Sequence, residues 1–157
     1  MTKFPIDVAV VYRVRSKGKW SSEVKKKNGY AGIKGQPITD IAIKISHGSY
    51  KYRVHVKDGK WLPWVTGYDI NDYNNGYAGN GKEIDAIQIN YITPIQWVKL
   101  YAYRIVIRYR VSPVNASFYP YQYDTQTTGG QDGYAGYFGK SIDHFQIEVI
   151  KNPPLTK

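Results

Sequence analysis

The tetrapeptide Gly-Tyr-Ala-Gly occurs three times in this chain, beginning at Gly29, Gly76 and Gly133. Each copy is followed within three residues by another glycine and then by a run rich in isoleucine. The apolar residues of these runs are Ile38, Ile41 and Ile43, then Ile84, Ile87 and Ile89, and finally Ile142, Phe145 and Ile147. Because such self-similarity is typical of repeat-built folds, we expect one domain over residues 1–157, with repeats at approximately 6–46, 47–92 and 93–151.

A second similar block lies upstream of each tetrapeptide. The segment YRVHVKDGKWLPWV of repeat two aligns without gaps with YRVSPVNASFYPYQ of repeat three. Repeat one has the shorter YRVRSKGKWSSEV, with Ser and Glu where the others have a second aromatic pair. The equivalent aromatic positions are Trp20 in repeat one, Trp61 and Trp64 in repeat two, and Phe118 and Tyr121 in repeat three. The aromatic segment therefore differs in every repeat.

Strand patterns dominate the chain. Alternating runs rich in Val, Ile and Tyr are separated by Gly, Asn or Pro, and helical periodicity is hard to find. The tetrapeptides are spaced by 47 and then 57 residues, and the extra length lies largely in TPIQWVKLYAYRIVI, which starts at Thr93. We expect this insertion to lengthen a strand or to add one.

These patterns predict an all-β fold. One small unit cannot bury both of its faces, so three units should pack around a pseudo-threefold axis with their isoleucines inward. A β-prism, with one small sheet per repeat, is favoured, and a β-trefoil, with two hairpins per repeat, is the alternative. Both glycines of each tetrapeptide suggest a backbone conformation or a close approach that a Cβ would prevent.

Motifs of known catalytic or metal chemistry are missing from the sequence. The chain has no cysteine, which excludes disulfides, zinc–thiolate sites and cysteine nucleophiles. His47, His55 and His144 occupy unrelated positions without metal-ligand spacing, and no nucleophile elbow or phosphate-binding loop occurs. We therefore expect a protein that is not an enzyme, with no catalytic residue, metal or cofactor.

Charge and aromatic content suggest binding. The net charge is +10, and the 16 tyrosines exceed what a core of this size needs. A positive surface favours an anionic partner, and exposed rings suit sugars or stacked bases. We predict ligand contacts by Trp20, Trp61, Trp64, Phe118 and Tyr121.

Two further sets of residues, three tyrosines and a group of aspartates, each have a ligand-binding interpretation and a structural one. The tetrapeptide tyrosines, Tyr30, Tyr77 and Tyr134, either contact ligand or fill the junctions between repeats. Asp85 and Asp143 share one position, from which Asp40 is displaced by one residue. They either contact ligand, or cap turns and pair with the repeated Arg13, Arg53 and Arg110.

The segments KWLPWV, YAGNGK and EIDAIQI of repeat two, in this order after an aromatic-rich strand, resemble a known family. This is the clostridial hydrophobic repeat with a conserved tryptophan, found in tandem on Gram-positive surface proteins, and it is similar to the C-terminal wall-binding regions of some bacterial and phage lysins. The pattern covers all three repeats, although Phe118 and Tyr121 replace both tryptophans in repeat three. The resemblance implies attachment to a bacterial envelope or another polysaccharide, with catalysis supplied by a separate domain of a longer protein.

Together these observations predict a non-catalytic, lectin-like module that binds carbohydrate or cell-wall glycan, with avidity from linked weak sites. A basic nucleic-acid-binding β-module and a structural or protein-interaction subunit are the alternatives. The expected location is extracellular or at the cell wall, although the chain shows no secretory signal pattern. We expect no membrane insertion, because no run approaches about 20 apolar residues.

Overall fold

A computed structural model describes residues 7–125 and 133–151 of the protein. In these ranges the chain forms eleven strands and one short helix, so the predicted all-β class is confirmed. The elements are β1 (Val10–Ser16), β2 (Lys19–Trp20), β3 (Ala31–Gly32), β4 (Ile38–Ile45), β5 (Ser49–Val56), β6 (Ala78–Gly79), β7 (Ile84–Ile92), α1 (Ile95–Tyr101), β8 (Ile105–Pro113), β9 (Gln122–Tyr123), β10 (Ala135–Gly136) and β11 (Ile142–Lys151).

The long strands form three antiparallel pairs, one from each repeat: β1 with β4, β5 with β7, and β8 with β11. Their sequences alternate as half-buried strands require, and β1 shows this as buried and half-buried residues in turn. All the apolar residues that define the three isoleucine-rich runs are buried. The prediction that these runs face the core is confirmed, whereas a pseudo-threefold axis stays a prediction.

Each tetrapeptide contributes a two-residue strand to the sheet of a different repeat. Strand β3 of repeat one pairs with β11, β6 of repeat two pairs with β4, and β10 of repeat three pairs with β7. The three sheets therefore have the orders β2-β1-β4-β6, β10-β7-β5 and β3-β11-β8-β9. Because every repeat both gives and receives such a strand, backbone hydrogen bonds tie each repeat to both of the others.

The second glycine of each tetrapeptide permits this exchange. Gly32, Gly79 and Gly136 have φ values of +120°, +140° and +114°. A Cβ at Gly32 would lie 2.0 Å from the carbonyl oxygen of Asp143, and one at Gly136 would lie 2.2 Å from that of Asp85. Only glycine fits such a contact, so the predicted role of these residues is confirmed.

Three equivalent tyrosines, Tyr12, Tyr52 and Tyr109, lie in the core and link the repeats. Two of these hydroxyls accept a hydrogen bond from the backbone N–H of an isoleucine in another repeat: that of Tyr52 from Ile43, and that of Tyr109 from Ile89. Each of the three hydroxyls donates to a backbone carbonyl, of Gly29, Gly67 and Gly133, respectively. A buried phenol needs such partners, and here they lie at the boundaries between sheets.

The insertion that starts at Thr93 differs from its prediction. Its first part forms helix α1, whose Trp97 is buried, and only its last three residues lie in a strand, β8. Proline 94 precedes the helix and Ala102 ends it in a left-handed conformation. A seven-residue helix offers too short a periodic pattern to stand out from neighbouring strand-like residues. In the described ranges, no helix is long and apolar enough to span a membrane.

Candidate ligand-binding surface

The three tetrapeptide tyrosines lie where two repeats meet. Each makes an edge-to-face contact with the first ring of the aromatic segment of another repeat. The ring centroids are 6.0 Å apart for Tyr30 and Phe118, 5.1 Å for Tyr77 and Trp20, and 5.3 Å for Tyr134 and Trp61. Tyr77 is buried, whereas Tyr30 is 55% exposed and Tyr134 is partly exposed. These contacts favour the junction-packing interpretation, and only Tyr30 and Tyr134 keep surface for a ligand.

A fully buried aspartate lies at each of these junctions. The backbone N–H of the glycine after the tetrapeptide donates to it: Gly81 to Asp40 at 3.3 Å, Gly139 to Asp85 at 2.7 Å, and Gly35 to Asp143 at 2.9 Å. These bonds cap the turns between repeats, as one of the two interpretations predicted. Neither Asp85 nor Asp143 has exposed surface to offer a ligand.

A basic side chain pairs with each of these aspartates. The pairs are Arg15 with Asp40 at 2.9 Å, His55 with Asp85 at 2.7 Å, and His144 with Asp143 at 2.9 Å. The predicted pairing with Arg13, Arg53 and Arg110 is wrong, because these arginines donate to the Ser21 carbonyl, Gln88 and Gln146 instead. A buried carboxylate needs several donors, and the turn glycine supplies only one.

Sequence reasoning missed the part that two histidines play in these junctions. His55 follows Tyr52 by three residues, as Arg15 follows Tyr12, and that shared offset was the available signal. His144 also pairs with a junction aspartate, but it lies in β11 and directly follows that aspartate, Asp143, in the sequence. The ring of His55 stacks on Phe138 at 3.8 Å and meets Trp61 edge-on at 5.3 Å. The contact with Phe138 joins two repeats, and the sequence does not show which residues meet in this way.

On the outer face of β5, cations and rings alternate. The Lys51 ammonium lies 4.5 Å from the Trp64 ring centroid, and the Arg53 guanidinium carbon lies 4.6 Å from the centroids of both Trp64 and Trp61. We call these four residues the repeat-two ladder. Both tryptophans are half-buried and Lys51 is exposed. The predicted ligand residues Trp61 and Trp64 are thus brought together, with cations over their rings rather than as bare flat platforms.

Repeat three builds the same arrangement from different residues. The Arg108 guanidinium lies 4.1 Å from the Tyr121 centroid, and that of Arg110 lies 4.3 Å from Tyr121 and 4.4 Å from Phe118. We call these four residues the repeat-three ladder. Here Glu148 accepts hydrogen bonds from Arg108 at 2.6 and 2.8 Å, so one of the two cations is neutralised.

Repeat one has no ladder of this kind. Glu23 stands where the other repeats have Trp64 and Tyr121, and it accepts a hydrogen bond from the Tyr68 hydroxyl at 2.5 Å. Burial, with the hydrogen bond to Glu23, raises the pKa of Tyr68 to about 12. Trp20 remains, with Arg15 lying 5.1 Å from its centroid and from that of Tyr77. The arginine there is held by Asp40 and belongs to the junction.

The three aromatic segments therefore differ in charge as well as in shape. Repeat two has two cations beside two tryptophans. Repeat three has two arginines, of which Arg108 is paired with Glu148. Repeat one has a glutamate, Glu23, in place of the second ring. Cation–aromatic contacts at partly exposed positions stabilise by about 0.5–1 kcal/mol each, and they also hold the cationic groups in fixed places. In the described parts of the chain, no group of three potential metal ligands accompanies these aromatic segments.

Comparisons of the chain with protein-family models, curated proteins and solved structures gave no match. The resemblance to the clostridial tryptophan-containing repeat therefore stays at the level of the sequence pattern.

Proposed function

We propose that this protein is a non-catalytic module that binds carbohydrate, with bacterial cell-wall glycan as the expected ligand. The observation that carries the proposal is the repeat-two ladder, in which two half-buried tryptophans are ordered by Lys51 and Arg53 on an outer sheet face. Tryptophan offers apolar surface with a polar edge, which suits the mixed character of a sugar, and lysine and arginine add attraction for acidic groups.

The junction chemistry supports binding rather than catalysis. The two His–Asp pairs resemble catalytic dyads, but both aspartates are fully buried and cap turns, and His55 lies against Phe138 and Trp61. These groups have structural partners that account for their positions. The outer rings and cations, in contrast, have exposed surface that the fold does not use.

The test is sedimentation of the protein with purified cell walls and with insoluble polysaccharides. We expect the protein to bind and Trp64→Ala to reduce the bound fraction at least fivefold, because it removes the ring that lies beside both cations. Tyr73→Ala is the matched control, since Tyr73 is 62% exposed and lies outside the ladder. Equal binding by the wild-type protein and Trp64→Ala, both shown folded by circular dichroism, would contradict the proposal.

A nucleic-acid-binding module is the second candidate, favoured by the net charge of +10 and the alternation of cations with rings. Competition separates the two. If single-stranded DNA binds more tightly than wall polysaccharide and displaces it, and the affinity falls steeply with salt, the nucleic-acid function is correct. If the polysaccharide is retained in the presence of excess DNA, the carbohydrate function is correct.

A further inference from the structure

The two ladders are equivalent in geometry but differ in the residue that faces the first cation across the sheet. Lys51 of β5 lies opposite Asn90 of β7, whereas Arg108 of β8 lies opposite Glu148 of β11. The second cations, Arg53 and Arg110, lie opposite glutamines and donate to them through Nε at 2.8 and 2.7 Å. One side-chain position therefore decides whether a ladder keeps its full positive charge.

Lys51 and Arg53 have no acidic partner among residues 7–125 and 133–151, because every ion pair found there involves other groups. Burial lowers the pKa of Arg53, with no opposing carboxylate. Burial also lowers that of Arg108, but hydrogen bonds to Tyr123 and Glu148 raise it overall. A partly desolvated cation without a counter-charge, as at Arg53, is costly for the fold alone, and an anionic ligand would offset that cost.

We infer that the ligand is a polyanionic glycan and that the repeat-two ladder is its primary site, with Lys51 and Arg53 binding successive acidic groups. This inference rests on the proposed carbohydrate function and narrows it. Alternate residues of a strand are about 6.7 Å apart, so the two cations suit a linear polymer with regularly repeated charges. Arg53 uses Nε for Gln88, which leaves its two terminal amino groups to bind a planar carboxylate or a phosphate.

The rings contribute in a secondary way. Cations lie over both tryptophans, so the rings offer edges and partial faces to a sugar rather than an open stacking platform. A neutral glycan would gain little from such rings, and its hydroxyls would accept weaker hydrogen bonds from the cations than acidic groups would. An acidic glycan would gain from both, which is why this surface favours it.

The decisive variants change the residue that faces the first cation in each of the two ladders. Asn90→Glu places a carboxylate opposite Lys51 and leaves all four ladder residues intact. Glu148→Gln removes the carboxylate from the repeat-three ladder. Binding to soluble polyglycerol phosphate, polygalacturonate and neutral dextran is measured by isothermal titration calorimetry at low and at moderate salt. Thermal unfolding of each variant confirms that it folds.

We expect the wild-type protein to bind one or both acidic polymers and not dextran, and Asn90→Glu to weaken that binding about tenfold. Arg53→Gln should weaken it similarly, and its matched counterpart Arg110→Gln by less than about twofold, because repeat three is the weaker site. Glu148→Gln should strengthen binding. The two polymers distinguish phosphate from carboxylate as the recognised group.

Two results would overturn the inference. If folded Asn90→Glu binds the acidic polymers as tightly as the wild-type protein does, the repeat-two ladder is not the primary site. If the protein prefers dextran to both acidic polymers, the ligand is not polyanionic, although the proposed carbohydrate function is still correct. If no polysaccharide and no cell wall binds at all, the proposed function itself is wrong.

Discussion

The Nδ1 atom of His55 lies 2.7 Å from the Oδ1 atom of Asp85, and both residues are buried at the junction between repeats two and three. The other carboxylate oxygen accepts the N–H of Gly139 from repeat three at 2.7 Å. One side chain thus joins a strand pair, an aromatic group and a turn from another repeat. Asp40, paired with Arg15, and Asp143, paired with His144, join two repeats in the same way.

Removing this carboxylate should open the junction. For Asp85→Ala we expect a loss of about 3 kcal/mol in the free energy of unfolding, because His55 and the Gly139 N–H lose their acceptor in a buried place. Urea denaturation measures the loss. Lys82→Ala, which changes an exposed side chain three residues away, should cost less than about 0.5 kcal/mol. Equal costs for the two variants would show that the buried pair does not hold the junction.

The exchanged strand β6 should not tolerate a methyl group at its glycine. In Gly79→Ala the new Cβ would lie 2.4 Å from the Thr39 carbonyl oxygen, so we expect a loss above about 3 kcal/mol or no folded protein. Gly81→Ala is the matched control: its φ is also positive, at +84°, but nothing lies within 4 Å. It should lose only about 1–2 kcal/mol, the conformational cost alone. Thermal unfolding of both variants makes the comparison, and similar losses would contradict the close approach.

The hydroxyl of Tyr52 should contribute to stability beyond its ring. Tyr52→Phe leaves the Ile43 N–H and the Gly67 carbonyl without their partner in the core, so we expect a cost of about 1–3 kcal/mol. Hydrogen exchange should also quicken at the Ile43 amide. Tyr73→Phe, at an exposed position, serves as the control and should change neither quantity. Unaltered exchange at Ile43 would argue against this link between repeats.

Asp124 should make stability fall as the pH rises. Burial raises its pKa in the folded protein to about 6, although its hydrogen bond with the Ile107 N–H works in the opposite direction. The unfolded chain, with an ordinary aspartate, therefore loses this proton first, and the folded state is penalised as pH rises from about 4 to about 6. Asp124→Asn keeps the acceptor and removes the penalty.

We expect Asp124→Asn to match the wild type below about pH 4 and to exceed it by about 1 kcal/mol at pH 7, a value reduced because the carboxylate is partly exposed. Urea denaturation of both proteins across this range gives the difference directly. A constant difference between pH 3.5 and pH 7 would show that Asp124 does not titrate as described.

Much of the scaffold was predictable from local patterns. Alternation in segments such as IDAIQI identifies a strand and its buried face, because the period of two is a property of the strand itself. The tetrapeptide glycines were also recognisable as positions that exclude a Cβ. Helix α1 was not predicted, since its seven residues are too few to show a helical period.

The candidate site was predictable only in part. Alignment of the repeats identified Trp61 and Trp64 as a pair, and that pairing needs no structure. The cations over these rings, and the difference between Asn90 and Glu148, depend on which residues face each other across a sheet. Register arises from pairing between distant segments, which a single sequence does not display.

The sequence alone determined three similar β-units, their inward isoleucines and an aromatic segment that differs in each repeat. Tertiary structure decided that each tetrapeptide joins the sheet of another repeat, and that the aspartates are buried there and accept hydrogen bonds from turn glycines. It also decided that Asn90 and Gln88, rather than carboxylates, face Lys51 and Arg53 across the sheet. The physical reason is that strand pattern is local, whereas hydrogen-bond partners and counter-charges are set by contacts between residues far apart in the chain.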